Sequence, residues 1–128
     1  MKYLLDTCTF LWIIGGTGQV PARVLQAYRD PDHEIYLSAA SAWEIALKEA
    51  RGKLPLPEPA PQFVTGEREA HGIASLPIDE ESALHLSRLP ALHRDPFDRM
   101  LVSQAIVHGL TILTPDPLIT QYPARTMW

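Results

Sequence analysis

One cysteine, Cys8, stands in this chain of 128 residues, so no disulfide can form within it, and a reducing cytoplasm suits it. Positive charge is not in excess. A net charge of −4 gives the molecule as a whole no cationic field to draw in nucleic acid. That counts against a large sequence-reading DNA binder but leaves room for an enzyme that meets RNA through a local basic rim. No apolar run approaches the roughly 20 residues of a membrane span. The stretch "YLLDTCTFLWII" (3–14) is interrupted by Asp6 and preceded only by Lys2, so neither a span nor a signal peptide is expected. Repeats and low-complexity tracts are missing, and residues 1–128 read as a single domain with one core. The five histidines show no zinc spacing and there is no second cysteine, so zinc is not expected.

Proline, by contrast, is plentiful. Its twelve residues cluster in loops, which argues for short elements with sharp boundaries. "KYLLD" (2–6), "EIYLS" (34–38), "IASLPI" (73–78) and "LTILT" (110–114) read as strands, and the tail "RTMW" as an edge strand. Helices are expected at "TFLWII" before the "GGTG" break, at 21–29 with Pro21 in the first helical position, and at 39–54 stopped by Gly52. Others are expected within 59–71, at 79–89, at 96–109 stopped by Gly109, and at 115–122. Trp43, Ala46, Leu47 and Ala50 are read as the core stripe of the third helix, and Trp12 and Trp43 as core residues, not base-stacking platforms.

Strands that alternate with helices and run continuously apolar indicate a parallel sheet covered on both faces, an α/β/α sandwich. In such sheets ligands bind beyond the carboxyl ends of the strands. Asp6 ends the first strand, and Asp116 lies just past 110–114. Each acid also has a structural reading. Asp6 can cap the helix after it, Glu44 can pair with Lys48 one turn on, and Asp116 can cap or form a turn in "TPDP". In "HRDPFDR" (93–99), Pro96 at the first helical position makes Asp95 the natural cap and leaves Asp98 free on the first turn. If one of those two is a ligand, Asp98 is the better candidate. Thr114, at a strand end, is placed to orient a neighbouring carboxylate. Four carboxylates brought to one cleft repel unless a cation neutralises them or some stay protonated. Oxygen donors alone suit Mg2+ or Mn2+.

The blocks "LLDTCTFLW", "SAASAWEIALKEARGKL", "LPALHRDPFDRMLVSQA" and "LTILTPD" resemble, in order, those of PIN-domain ribonucleases, specifically VapC-type toxins of toxin–antitoxin pairs. The resemblance covers nearly the whole chain. It implies a PIN-like fold and an Mg2+-dependent endoribonuclease that hydrolyses RNA phosphodiesters, with Asp6, Glu44, Asp98 and Asp116 as catalytic and metal-binding acids. It also implies Thr114 in support and Asp95 as a further ligand or only a cap. Lys48, Arg51, Lys53, Arg94 and Arg99, all on segments carrying Glu44 or Asp98, are then read as a rim for RNA phosphates, against the alternative of surface solubility and helix pairing. The partners implied are an RNA substrate, a small VapB-type antitoxin and a second copy in a homodimer. Cys8 departs from the pattern, since related sequences often carry histidine there.

Three rivals remain open. A phosphoacceptor domain with Asp6 as nucleophile would want a second aspartate two residues later, where this chain has Cys8. A catalytically inactive PIN-like module would keep the fold without turnover. A nuclease acting on DNA would use the same acids.

Overall fold

The computed structural model describes residues 1–128. Five parallel strands form one sheet: β1 (Lys2–Leu5), β2 (Glu34–Ser38), β3 (Ala74–Leu76), β4 (Thr111–Leu113) and β5 (Thr126–Met127), in the order β3-β2-β1-β4-β5. Helices α1 (Thr7–Gly15), α2 (Ala22–Arg29), α3 (Ala39–Ala50), α4 (Ala60–Ala70), α5 (Glu80–His85), α6 (Pro96–His108) and α7 (Pro117–Thr120) connect them.

Side chains alternate along β1 and β4, and both faces are buried, which explains why these strands read as unbroken apolar runs. Tyr3, Leu5 and Leu113 point into one core with Phe10, Val24, Ile45 and Phe63 from α1 to α4. Leu4 and Ile112 point into the other, with Leu101, Val102, Ala105 and Ile119 from α6 and α7. The α/β/α sandwich expected from the sequence is therefore the architecture observed, and the tail does add the edge strand.

The chain winds outward from β1 to β3, then returns to the opposite side of β1 for β4. Between β1 and β4 the order reverses, and the crevice at their carboxyl ends is the binding position of open parallel sheets. A buried polar contact fixes α6 against the sheet beside that crevice. Ser38 Oγ donates to Gln104 Oε1 at 2.5 Å, and Gln104 Nε2 donates to the Pro77 carbonyl at 2.9 Å.

Several boundaries differ from the sequence reading. Pro21 is the N-cap of α2 and not its first helical residue. Helix α3 ends at Ala50, ahead of Gly52, which takes a left-handed φ of 70° that any side chain would strain. The run 79–89 splits into α5 and a 3-10 turn, Leu86–Arg88, and it stops at Leu89, whose backbone is extended because Pro90 follows it.

The phase of α3 also differs. Its buried residues are Ala40, Ser41, Glu44 and Ile45, whereas Trp43 is 56 % exposed and Ala46 and Ala50 face solvent. This helix carries apolar residues almost all the way round, so periodicity does not set its rotation. Packing does: Ile45 fills the core, which turns Glu44 inward to the crevice and Trp43 outward. Trp12 is half-buried against Trp128, with ring centroids 5.8 Å apart, as a core-edge residue should be.

Candidate active site

Asp6 stands at the exit of β1 and caps α1, accepting from Thr7 N–H at 2.7 Å. Its other oxygen accepts from the Thr114 hydroxyl at 2.7 Å and from the Cys8 thiol at 3.3 Å. The capping and functional readings of this residue are thus compatible: one oxygen holds the helix and the other faces the crevice. Thr114 orients Asp6, and its Oγ1 accepts from Asp116 N–H at 3.0 Å, so the β4 exit is latched to the β1 exit. Asp116 caps α7 through one oxygen, which accepts from Leu118 N–H at 2.9 Å.

Glu44 enters from α3. Its Oε1 accepts from Thr7 Oγ1 at 2.7 Å, and its Oε2 accepts from Lys48 Nζ at 2.6 Å. Thr7 Oγ1 in turn lies 2.9 Å from the Ser41 hydroxyl, which can donate to it. Neither Thr7 nor Ser41 was singled out from the sequence as a site residue. The available signals were adjacency to Asp6 and a place one helical turn before Glu44.

Asp95 caps α6 as expected, one oxygen accepting from Phe97 N–H at 2.9 Å and Asp98 N–H at 3.1 Å. Asp98 lies one turn along and is buried, yet no donor in the chain stabilises its carboxylate. Burial first, then the charges of Asp95, Asp6, Asp116 and Glu44, push it up to about 7. Asp6 is raised too, by burial, against which the Thr114, Cys8 and Thr7 hydrogen bonds pull. Burial and the neighbouring Asp6 hold the Cys8 thiol at about 12, so this side chain stays protonated and serves as a weak donor. Lys48 is raised by its hydrogen bond to Glu44.

These five acids line one cavity of about 380 Å³ together with Thr7, Cys8, Lys48 and Lys53. No three acidic, histidine or cysteine side chains form a ready-made cage around a common point. The donor set nonetheless fits a hard divalent cation: it is oxygen-only, it carries concentrated negative charge, and one carboxylate has no partner. An ion that keeps several of its own waters does not need an all-protein cage.

The cations divide. Lys48 and Lys53 reach the acid cavity, while Arg51 is exposed at the C-cap of α3. Arg94 lines a neighbouring groove. Arg99 lines that same groove and is held in place there. Its guanidinium donates to the Pro90 carbonyl at 3.0 Å, Tyr122 Oη at 3.1 Å and the Leu86 carbonyl at 3.2 Å, so it ties down the loop before α6. Elsewhere, Ser82, His108 and Asp79 meet in one cluster, but Ser82 Oγ donates to Asp79 at 2.7 Å and Asp79 caps α5 by accepting from Ser82 N–H at 3.0 Å, which is not the relay of a hydrolytic triad.

Residues 3–124 match the PIN domain family. The chain is a PIN domain. Ribonuclease VapC16 of Mycobacterium tuberculosis is similar to this PIN domain, with 42 % identity over 57 residues, which are 44 % of this chain and 40 % of that protein's length. Among solved structures, VapBC2 from Rickettsia felis bound to a promoter DNA fragment is similar in fold, with a TM-score of 0.74 at 13 % identity over 99 % of this chain and 98 % of that one. DNA-bound VapBC from Salmonella typhimurium gives a TM-score of 0.69 at 17 % identity over 99 % and 97 %. At such identities the structures speak for the fold of this PIN domain. No helix in it is long and apolar enough to cross a membrane.

Because Thr114 holds Asp6 in the site without touching solvent, Thr114→Val should lower any activity of these acids about tenfold to a hundredfold, as losing the hydrogen bond that orients a ligand does. Rates set beside urea unfolding curves check this. A loss matched by unfolding would assign Thr114 to stability alone.

Proposed function

We propose that this chain is a metal-dependent endoribonuclease, the toxin of a VapBC-type pair working in the cytoplasm. The observation that carries the reading is Asp98, a largely buried residue whose carboxylate has no donor in the chain and opens onto a cavity lined by four other acids. A site built at such electrostatic cost is accounted for by a cation and an anionic substrate held by it. Mg2+, with Mn2+ as a substitute, suits the oxygen donors. Asp6, Asp98 and Asp116 would hold the ion, with Glu44 and Asp95 beside them.

When bound, the ion would stabilise charge on a scissile phosphate and make water a stronger nucleophile at neutral pH. The chain's own residues prepare the site. Thr114 and Cys8 fix one oxygen of Asp6, while Thr7 and Lys48 hold Glu44 at the edge of the cavity. Lys48 and Lys53 offset part of the acids' charge where a phosphodiester would approach, and Arg51 and Arg94 would extend that contact along the strand. A small VapB-type antitoxin that covers the acids, and a homodimer, complete the proposal.

The parent protein should cleave single-stranded RNA in Mg2+, stop on addition of EDTA, and resume when Mg2+ is restored, with matched DNA offered in parallel. Cleavage that ignores EDTA, or that persists undiminished in Asp6→Ala, would overturn the reading.

A further inference from the structure

A second depression adjoins the acid cavity. It is an open groove of about 570 Å³, walled by Trp43, Ile78, Leu86, Pro96 and Met100, with Arg94 at its side. The two cavities share a wall. Trp43 immediately precedes Glu44 on α3, Pro96 follows Asp95 at the start of α6, and the Trp43 indole meets Phe97, one residue from Asp98, edge-on at 4.8 Å. The chemistry changes abruptly across that wall. The acid cavity carries five carboxylates and the groove none, while Arg94 makes no ion pair.

Trp43 is the only tryptophan more than one-third exposed, and the Phe97 ring meets it edge-to-face at the wall between the two cavities. An aromatic face beside an unpaired guanidinium matches a nucleotide, whose base stacks while its phosphate meets the cation. An amphipathic protein segment would be served by the apolar wall but would not require the guanidinium. Continuity with the acid cavity decides for RNA: a strand whose phosphate lies among the acids must place an adjacent nucleotide across the shared wall.

We infer that the Trp43–Arg94 groove is a base-binding subsite for the nucleotide flanking the scissile phosphate, with Trp43 stacking the base and Arg94 holding its phosphate. This rests on the ribonuclease reading above and adds a specificity-determining position to it. Trp43 acts by positioning and takes no part in the chemistry.

The test keeps binding apart from cleavage. In a Trp12→Phe, Trp128→Phe protein, Trp43 is the only tryptophan, and excitation in the tryptophan band alone reports on it. Its fluorescence should be quenched saturably by a single-stranded RNA decamer in Ca2+, and Arg94→Ala should weaken that binding about fivefold. In the otherwise native chain, Trp43→Ala should raise KM for a single-stranded RNA about tenfold with kcat nearly unchanged, the low end for one lost base–aromatic stack, and Trp43→Tyr should restore most of it. Trp43 emission that ignores RNA while responding to protein concentration would assign the groove to a second copy and overturn the inference. So would a Trp43→Ala protein that loses kcat at constant KM, since that marks a structural support for Asp98 through Phe97. Quenching without any RNA cleavage would sink the nuclease reading and leave the subsite standing, so the two failures are distinguishable.

Discussion

Asp98→Asn is expected to abolish RNA cleavage, with a loss of at least about a hundredfold, while the protein stays folded. The figure is the upper end of what a group one step removed from a metal costs a site, and Asp98 is placed to meet the ion itself. The carboxylate is the one acid in the cavity that holds no backbone or side-chain donor in place, so its removal breaks no structural bond. Asp6, Asp95 and Asp116 each cap a helix, and changing any of them mixes function with stability. Asparagine keeps the shape and takes away the charge. Circular dichroism should be unchanged, and cleavage rates in Mg2+ should collapse. A variant that cuts RNA within about threefold of the parent would show that the charge of Asp98 is not what the site runs on.

The fold was legible because its signals are strong and local. The apolar residues within 2–5, 34–38 and 111–113 follow one another without polar alternation, as in strands buried on both faces, and prolines and glycines mark the joints. Asp95 and Asp98 were separable from sequence because Pro96 fixes the first helical position and thereby assigns one residue to the cap. The rotation of α3 was not legible. With Trp43, Ile45, Ala46 and Leu47 all apolar, the pattern permits several faces, and the choice is made by what Ile45 and Glu44 meet in three dimensions. The anchoring of Arg99 was not legible for a similar reason. Its three oxygen partners lie at Leu86, Pro90 and Tyr122, two of them backbone carbonyls, and no sequence pattern announces such a clamp. Thr7 and Ser41 escaped because a hydroxyl acquires a role only from the partner that folding brings to it: for Thr7 the Glu44 carboxylate 37 residues away, and for Ser41 the Thr7 hydroxyl.

Burial of these carboxylates, and after it the crowding of their charges, should make the protein's stability depend on pH in an unusual direction. Asp98 titrates at about 7 in the folded protein against an ordinary value of 3.8, so the folded state favours the protonated carboxyl. Stability from this group is complete below the ordinary value, declines as pH rises because the unfolded chain ionises first, and is fully lost above 7. Asp6 is shifted in the same direction and adds to the trend. Asp79 works oppositely. Its hydrogen bonds from His108 and Ser82 lower it well below the usual carboxylate range, so its contribution fails only in strong acid. Between about pH 5 and pH 8 in EDTA, the melting temperature should therefore fall by about 5 °C, with the shift heavily discounted because the carboxylate faces a solvent-filled cavity. Asp98→Asn should remove most of that fall and melt above the parent at the alkaline end. Mg2+ should raise the parent's melting temperature more on the alkaline side of neutrality than on the acid side, because the cation competes with the proton for the same oxygens. Calorimetry over the pH series checks all three. An identical fall in parent and variant would place the destabilising charge somewhere other than Asp98, and an Mg2+ effect independent of pH would separate the ion from these carboxylates.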